Sequence, residues 1–281
     1  MEYILNYHSE NNYQRFVNEA IIEFLILPEY SEEQLVSESV IKNSLNVPAF
    51  YYTNIFGFKV CRFRIPQSFK EFKLDMEVKV QKNIHGIKSG YVLDEITCYN
   101  TLHSIDFEID NHLFLQNSYF TFLPDSILET FPKLTPNEHV FKYLVDLNKY
   151  VHQYFTYTPN ITDVYTQAID VVHLKKGVCQ DYSHLFISIA RYNKIPTRYV
   201  SGYINQGMGY IGAAKMHAWV ECLIPGAGWI GFDPTNCLQS DEHYIKASHG
   251  CDYADCTPLK GLVRTSGKQA TDHYVVVKAI G

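Results

Sequence analysis

The chain has little that would carry it into a membrane or fasten it to nucleic acid. No apolar run approaches the length of a membrane span, and the start, Met1-Glu2-Tyr3-Ile4-Leu5-Asn6-Tyr7-His8-Ser9-Glu10, has neither the positive segment nor the apolar stretch of a secretory signal. Basic residues are outnumbered, 24 against 30 acidic ones for a formal charge of -6, which leaves no basic face for nucleic acid and no polybasic anchor. A cytoplasmic protein without nucleic-acid or membrane partners is expected. Paired metal-ligand spacings are also missing. Cys237, His243, His249, Cys251 and Cys256 lie near one another in sequence, but no C-x-x-C or H-x-x-x-H pair occurs there, so no structural metal and no other cofactor is expected. Seven cysteines, an odd number in a chain without a secretion signal, argue for reduced thiols, at least one of them free.

What is present can build a sizeable core. With 281 residues and 46% hydrophobic content, the size prior gives one large or two modest domains. Period-2 stretches at Phe58–Ile65 and Phe72–Val80 predict antiparallel strands with one wet face, and Ile21–Leu27 predicts a strand stopped by Pro28. Punctuation by Pro124, Asp125 and Pro132 places a boundary near 130, dividing the chain into a β domain (1–130) and a second domain (131–281). Helical signals then take over. Thr135-Pro136-Asn137-Glu138 reads as a capping box, followed by Val140, Leu144, Leu147, Val151 and Phe155 at helical spacing. A short helix from near Thr166 is expected to end at Lys175 and Lys176, with Gly177 as its left-handed cap. Leu185, Phe186 and Ile189 then form the buried stripe of a helix that starts at Cys179 and ends near Asn193. Strands follow at 197–204, 216–223, 229–232 and 272–279. The fold class is α+β, an N-terminal antiparallel β-sandwich followed by helices packed on an antiparallel sheet.

Cys179 is the candidate nucleophile. The start of a helix exposes its sulfur, and the unpaired N–H groups there favour a thiolate. His217, on a strand, is the candidate base, and Asp233 the carboxylate that would orient it. Competing readings exist for each: a packed cysteine, a satisfied histidine, and a simple turn at Asp233-Pro234-Thr235-Asn236. The backbone N–H of Cys179 would supply one oxyanion donor, with Tyr157 and Tyr165 as candidates for a second. Trp219 and Trp229, the only tryptophans, could wall a cleft or simply pack. Gly202, Gly207, Gly209 and Gly212 suggest a mobile loop that gates substrate, and His184 and Asp181 are read as structural.

The stretches Gly177-Val178-Cys179-Gln180-Asp181, Ile195 to Tyr203, His217-Ala218-Trp219-Val220-Glu221, Pro225 to Asn236 and Asp252-Tyr253-Ala254-Asp255 together resemble bacterial transglutaminase-like proteins. The resemblance implies a papain-like core preceded by the family's β domain, with Cys179, His217 and Asp233 as a catalytic triad. It implies acyl transfer from an amide through a thioester, as in a cysteine protease or amidase acting on a peptide or protein substrate. Alternatives are a protein-glutamine crosslinking transglutaminase and a catalytically inactive binding scaffold. The acidic calcium loops of animal transglutaminases are not recognisable, so no metal requirement is implied.

Overall fold

A computed structural model describes residues 1–83 and 93–280. The chain opens with six strands, β1 (Glu2–Val17), β2 (Ala20–Phe24), β3 (Gln34–Asn43), β4 (Ala49–Thr53), β5 (Lys59–Ile65) and β6 (Phe69–Lys82). Burial alternates along β1, with Tyr3, Leu5, Tyr7, Ser9, Asn11 and Tyr13 facing inward. Two of those inward residues are polar, which hides the strand's period in the sequence. Asn11 is satisfied where it sits, donating to Ser9 Oγ (3.3 Å) and Phe72 O (3.4 Å) and accepting from Thr271 Oγ1 (2.9 Å). The strand expected to run to Pro28 ends earlier, at Phe24.

Helices α1 (Glu95–Leu102), α2 (Ile105–Asp110) and α3 (Asp125–Leu128) come next. The first two start at side-chain caps: Asp94 Oδ1 accepts the Thr97 N–H (3.0 Å) and Ser104 Oγ that of Phe107 (3.4 Å). Helix α4 (Val140–Tyr154) starts five residues after the expected capping box at Thr135. Thr135 to Glu138 instead closes a turn, Glu138 N to Thr135 O at 3.1 Å, because Pro136 suits the second position of a turn as well as the first of a helix. The short strand β7 (Thr156–Tyr157) pairs in parallel with β8 (Lys176–Gly177), and α5 (Ala168–Leu174) lies between them in sequence. Lys175, with φ 53°, takes the left-handed cap of α5 that was expected of Gly177. Gly177 instead makes room for a close approach, since a Cβ there would lie 2.7 Å from the Asp181 side chain.

The remaining elements are α6 (Cys179–Tyr192), β9 (Thr197–Ile204), β10 (His217–Ile224), β11 (Gly228–Asp233), β12 (Leu238–Gln239), β13 (Tyr244–Gly250), α7 (Tyr253–Cys256), β14 (Leu259–Val263) and β15 (Gln269–Ala279). Strands β9 to β13 form an antiparallel sheet of order β12-β11-β10-β9-β13. Helix α6 lies against this sheet, burying Leu185, Phe186 and Ile189 with Val220, Cys222 and Phe232 and with Leu144 and Leu147 of α4. Two strands on the far side of the expected boundary at 130/131 join the N-terminal sheets instead. One sheet has the order β15-β1-β6-β3 and the other β14-β2-β5-β4. Their inner faces share one core, in which Leu5, Phe24, Phe63, Phe72 and Val277 meet, so the pair is a sandwich. Tyr203 and Ile245 of the β9–β13 sheet enter the same core.

Between sandwich and core sheet, the half-buried Glu221 meets Lys246 Nζ at 2.7 Å and Arg198 at 2.6 Å. Burial raises its pKa, but these two cations outweigh burial and bring it down to about 2. Gln34 of β3 donates to Lys246 O (2.7 Å) and accepts the Lys246 N–H (2.9 Å), tying the sandwich to β13.

Candidate active site

The N-terminus of α6 is built around Asp181. Its Oδ2 accepts the Val178 N–H (2.8 Å) and the Thr162 hydroxyl (2.7 Å), which anchors the segment before α5 against the first turn. Burial pushes the Asp181 carboxyl up, and the two hydrogen bonds oppose that shift. Cys179, at the first position of α6, is partly exposed, and burial pushes the other six thiols up, Cys61, Cys98 and Cys251 to about 11 and Cys222 to about 12.

His217, at the start of β10, is 1% exposed and donates through Nε2–H to Asp233 Oδ2 at 2.8 Å. Its Nδ1 is buried without a hydrogen-bond partner among the described residues. Burial lowers the pKa of the imidazole, but Asp233 and, after it, Cys179 outweigh burial and bring it up to about 10. Asp233, at the end of β11, accepts five hydrogen bonds. Oδ2 takes those of His217, Asn236 Nδ2 (2.7 Å) and the Tyr244 hydroxyl (2.9 Å), and Oδ1 takes the backbone N–H groups of Thr235 (2.9 Å) and Asn236 (3.2 Å). These donors keep it ionised against the cost of full burial.

The structure thus brings His217 and Asp233 into direct contact, with Cys179 beside the imidazole. Tyr157, half-buried on β7, is raised by burial first and by Cys179 second. Burial pushes the hydroxyls of Tyr199 and Tyr253 up, with a smaller contribution from Cys179. Tyr165 is 75% exposed. Trp219 is core: it is 1% exposed, parallel to the His217 ring at 6.4 Å and edge-on to Tyr244 at 5.4 Å. Trp229 pairs with Leu223, roughly 20 Å along β10 from His217, and lies beneath the Arg198 guanidinium at 4.1 Å. His184 is fully buried, accepts the Tyr253 N–H at Nε2 (3.3 Å) and stacks on Phe120.

The glycine-rich segment before β10 is anchored. Asn236 Oδ1 accepts the Ile211 N–H (2.8 Å) and its Nδ2 donates to Ile211 O (3.2 Å), while Gln206 Nε2 donates to Ala213 O (3.1 Å). Gly212, at φ +88°, comes so close that a Cβ would sit 2.7 Å from His217 Nδ1. Gly202 belongs to β9 and not to this loop, and its missing side chain makes room for Trp219. Sequence reasoning missed Tyr244, eleven residues beyond Asp233 on another strand, where no local pattern links the two.

Residues 132–234, which include Cys179, His217 and Asp233, match the transglutaminase-like superfamily. The chain carries a transglutaminase-like core. Across the full chain the fold is shared with the crystal structure of a candidate cysteine protease from Cytophaga hutchinsonii, at TM-score 0.74 and 19% identity, covering 100% of this chain and 92% of that one. An uncharacterized Mycobacterium leprae protein is 34% identical over 168 residues, which are 58% of this chain and 59% of that protein, so the match spans little more than half of either. A protein-glutamine gamma-glutamyltransferase of Pseudomonas aeruginosa is 30% identical over 97 residues, 32% of this chain and 14% of that protein. Among the described residues no helix is long and apolar enough to cross a membrane, and no three His, Cys, Asp or Glu side chains are grouped to hold a metal ion.

Proposed function

We propose that the protein is a cysteine-dependent enzyme that cleaves an amide bond of a peptide or protein through a Cys179, His217 and Asp233 triad. The observation that carries this reading is the buried His217–Asp233 pair next to a cysteine at a helix N-terminus. The thiol proton passes to His217 Nδ1, and the sulfur attacks the carbonyl carbon. The Cys179 backbone N–H faces the oxyanion that forms, Asp233 stabilises the imidazolium, and the imidazolium then protonates the departing amine as the C–N bond breaks. Water, deprotonated by His217, attacks the thioester, releasing the acid and restoring the thiol.

The test is the rate of iodoacetamide labelling at Cys179 from pH 5 to 9, read by peptide mass spectrometry with the other six cysteines as internal controls. Cys179 is expected to label faster at neutral pH than the other six cysteines, and His217→Ala to slow that labelling by at least about tenfold. Equal rates in the two proteins would refute the pair. Glutamine crosslinking is a second reading, favoured by the similarity to the Pseudomonas aeruginosa gamma-glutamyltransferase. Incorporation of a fluorescent primary amine into a glutamine-bearing protein would select it over hydrolysis.

A further inference from the structure

Asp233 is held by more donors than the orientation of one imidazole requires. Backbone N–H groups already fix Oδ1, and Asn236 and His217 both donate to Oδ2. The Tyr244 hydroxyl adds a third bond to that oxygen at 2.9 Å. Tyr244 starts β13, at the opposite edge of the sheet from β12, so its side chain reaches across the ends of β9 and β10 to arrive there. It is 2% exposed and rests edge-on against Trp219, which also stacks with the His217 ring. Imidazole, indole, phenol and carboxylate therefore close a ring of contacts.

We propose that Tyr244 is a positioning residue for the His217–Asp233 pair: by donating to the oxygen that receives the imidazole N–H, it disperses the carboxylate charge and sets how firmly His217 holds its proton. The physical reason is competition. A carboxylate oxygen shared among three donors offers less charge to each, so removing one strengthens its hold on the imidazolium. The other titratable and charged groups around the pair and Tyr244 are not altered by the substitution itself. They are Cys179 from α6, Tyr210 from the 206–215 segment, Cys237 after β11 with Lys149 of α4 behind it, and Asp241 and Glu242 before β13.

The inference rests on the triad reading only for its consequence in catalysis, and the experiment separates the two. In full-length Tyr244→Phe, the ring-nitrogen resonances of His217 are followed against pH by NMR beside the labelling profile of Cys179. Loss of the hydroxyl is expected to move the His217 titration up by on the order of half a unit, and to change the rate of Cys179 labelling at neutral pH. An unchanged titration, or a shift the other way, overturns the proposal even if the melting temperature falls, since a merely structural phenol lowers stability without moving the titration. If wild-type Cys179 labels no faster than the other cysteines, the triad reading fails while the His217 titration still answers this question. Should Tyr244→Phe not fold, the native protein answers it too: the Tyr244 hydroxyl proton is expected far downfield and to shift as His217 titrates. A resonance indifferent to that titration would overturn the assignment.

Discussion

Gly212 crowds His217 at Nδ1 and Tyr244 bonds the carboxylate that holds its Nε2, and neither could be assigned that place from the sequence. Cys179, His217 and Asp233 stand inside short stretches whose residue types suit their chemistry, so they could be picked out one by one, whereas Asn236 reads only as a turn residue. Tyr244 is one of 22 tyrosines, and only the sheet order brings it to Asp233. Gly212 was legible as loop, but its closeness to the imidazole is a property of the fold. That closeness gives a sharp expectation. In Gly212→Ala the methyl would meet His217 Nδ1 at 2.7 Å, and φ +88° is strained for alanine. The variant should lose about 1 kcal/mol of stability and most of the accelerated labelling at Cys179. Labelling at the wild-type rate would show that the segment gives way and that Nδ1 is not crowded.

Helix α6 was the most legible element because its stripe and both its ends are written locally. Other elements were not. The start of α4 was misread because Pro136 serves turns and helices alike, and β1 was obscured by Ser9 and Asn11, polar residues satisfied by one another and by the neighbouring strands. The close packing of Gly177 on Asp181 also lies beyond local pattern, since it depends on where the carboxylate folds back. Because Asp181 caps α6 and holds Thr162, Asp181→Ala should cost about 1–2 kcal/mol in urea denaturation. It should also loosen the turn that presents Cys179, slowing its labelling. A variant with native stability would show that the remaining N–H groups of α6 find partners without it.

At the scale of the molecule, the two parts are coupled through buried charge and through strands that return from the far end of the chain, neither of which has a signature in composition. The buried groups predict a pH optimum. His184 is depressed to about 3 by burial and then by Arg191, and His249 to about 2 by burial and then by Lys246 and Arg198. The unfolded chain takes up protons on both below about 6.5, so stability is lost as pH falls from there. Glu221 adds to this between 4.5 and about 2, its stabilisation being present above the first value and lost towards the second. His217 acts oppositely. Its contribution is fully present below 6.5 and is lost as pH rises towards about 10. Melting temperature should therefore peak near neutrality and fall by several degrees by pH 4; a flat profile from pH 7 to 4 would refute this account. The pairing of β1 with β15, from Tyr3 opposite Ala279 to Tyr13 opposite Gln269, has a consequence in time. As the chain leaves the ribosome, β1 emerges before β15 and waits through the synthesis of the entire core sheet for that partner. Until then a long, half-apolar strand edge stays open to pairing with neighbouring chains.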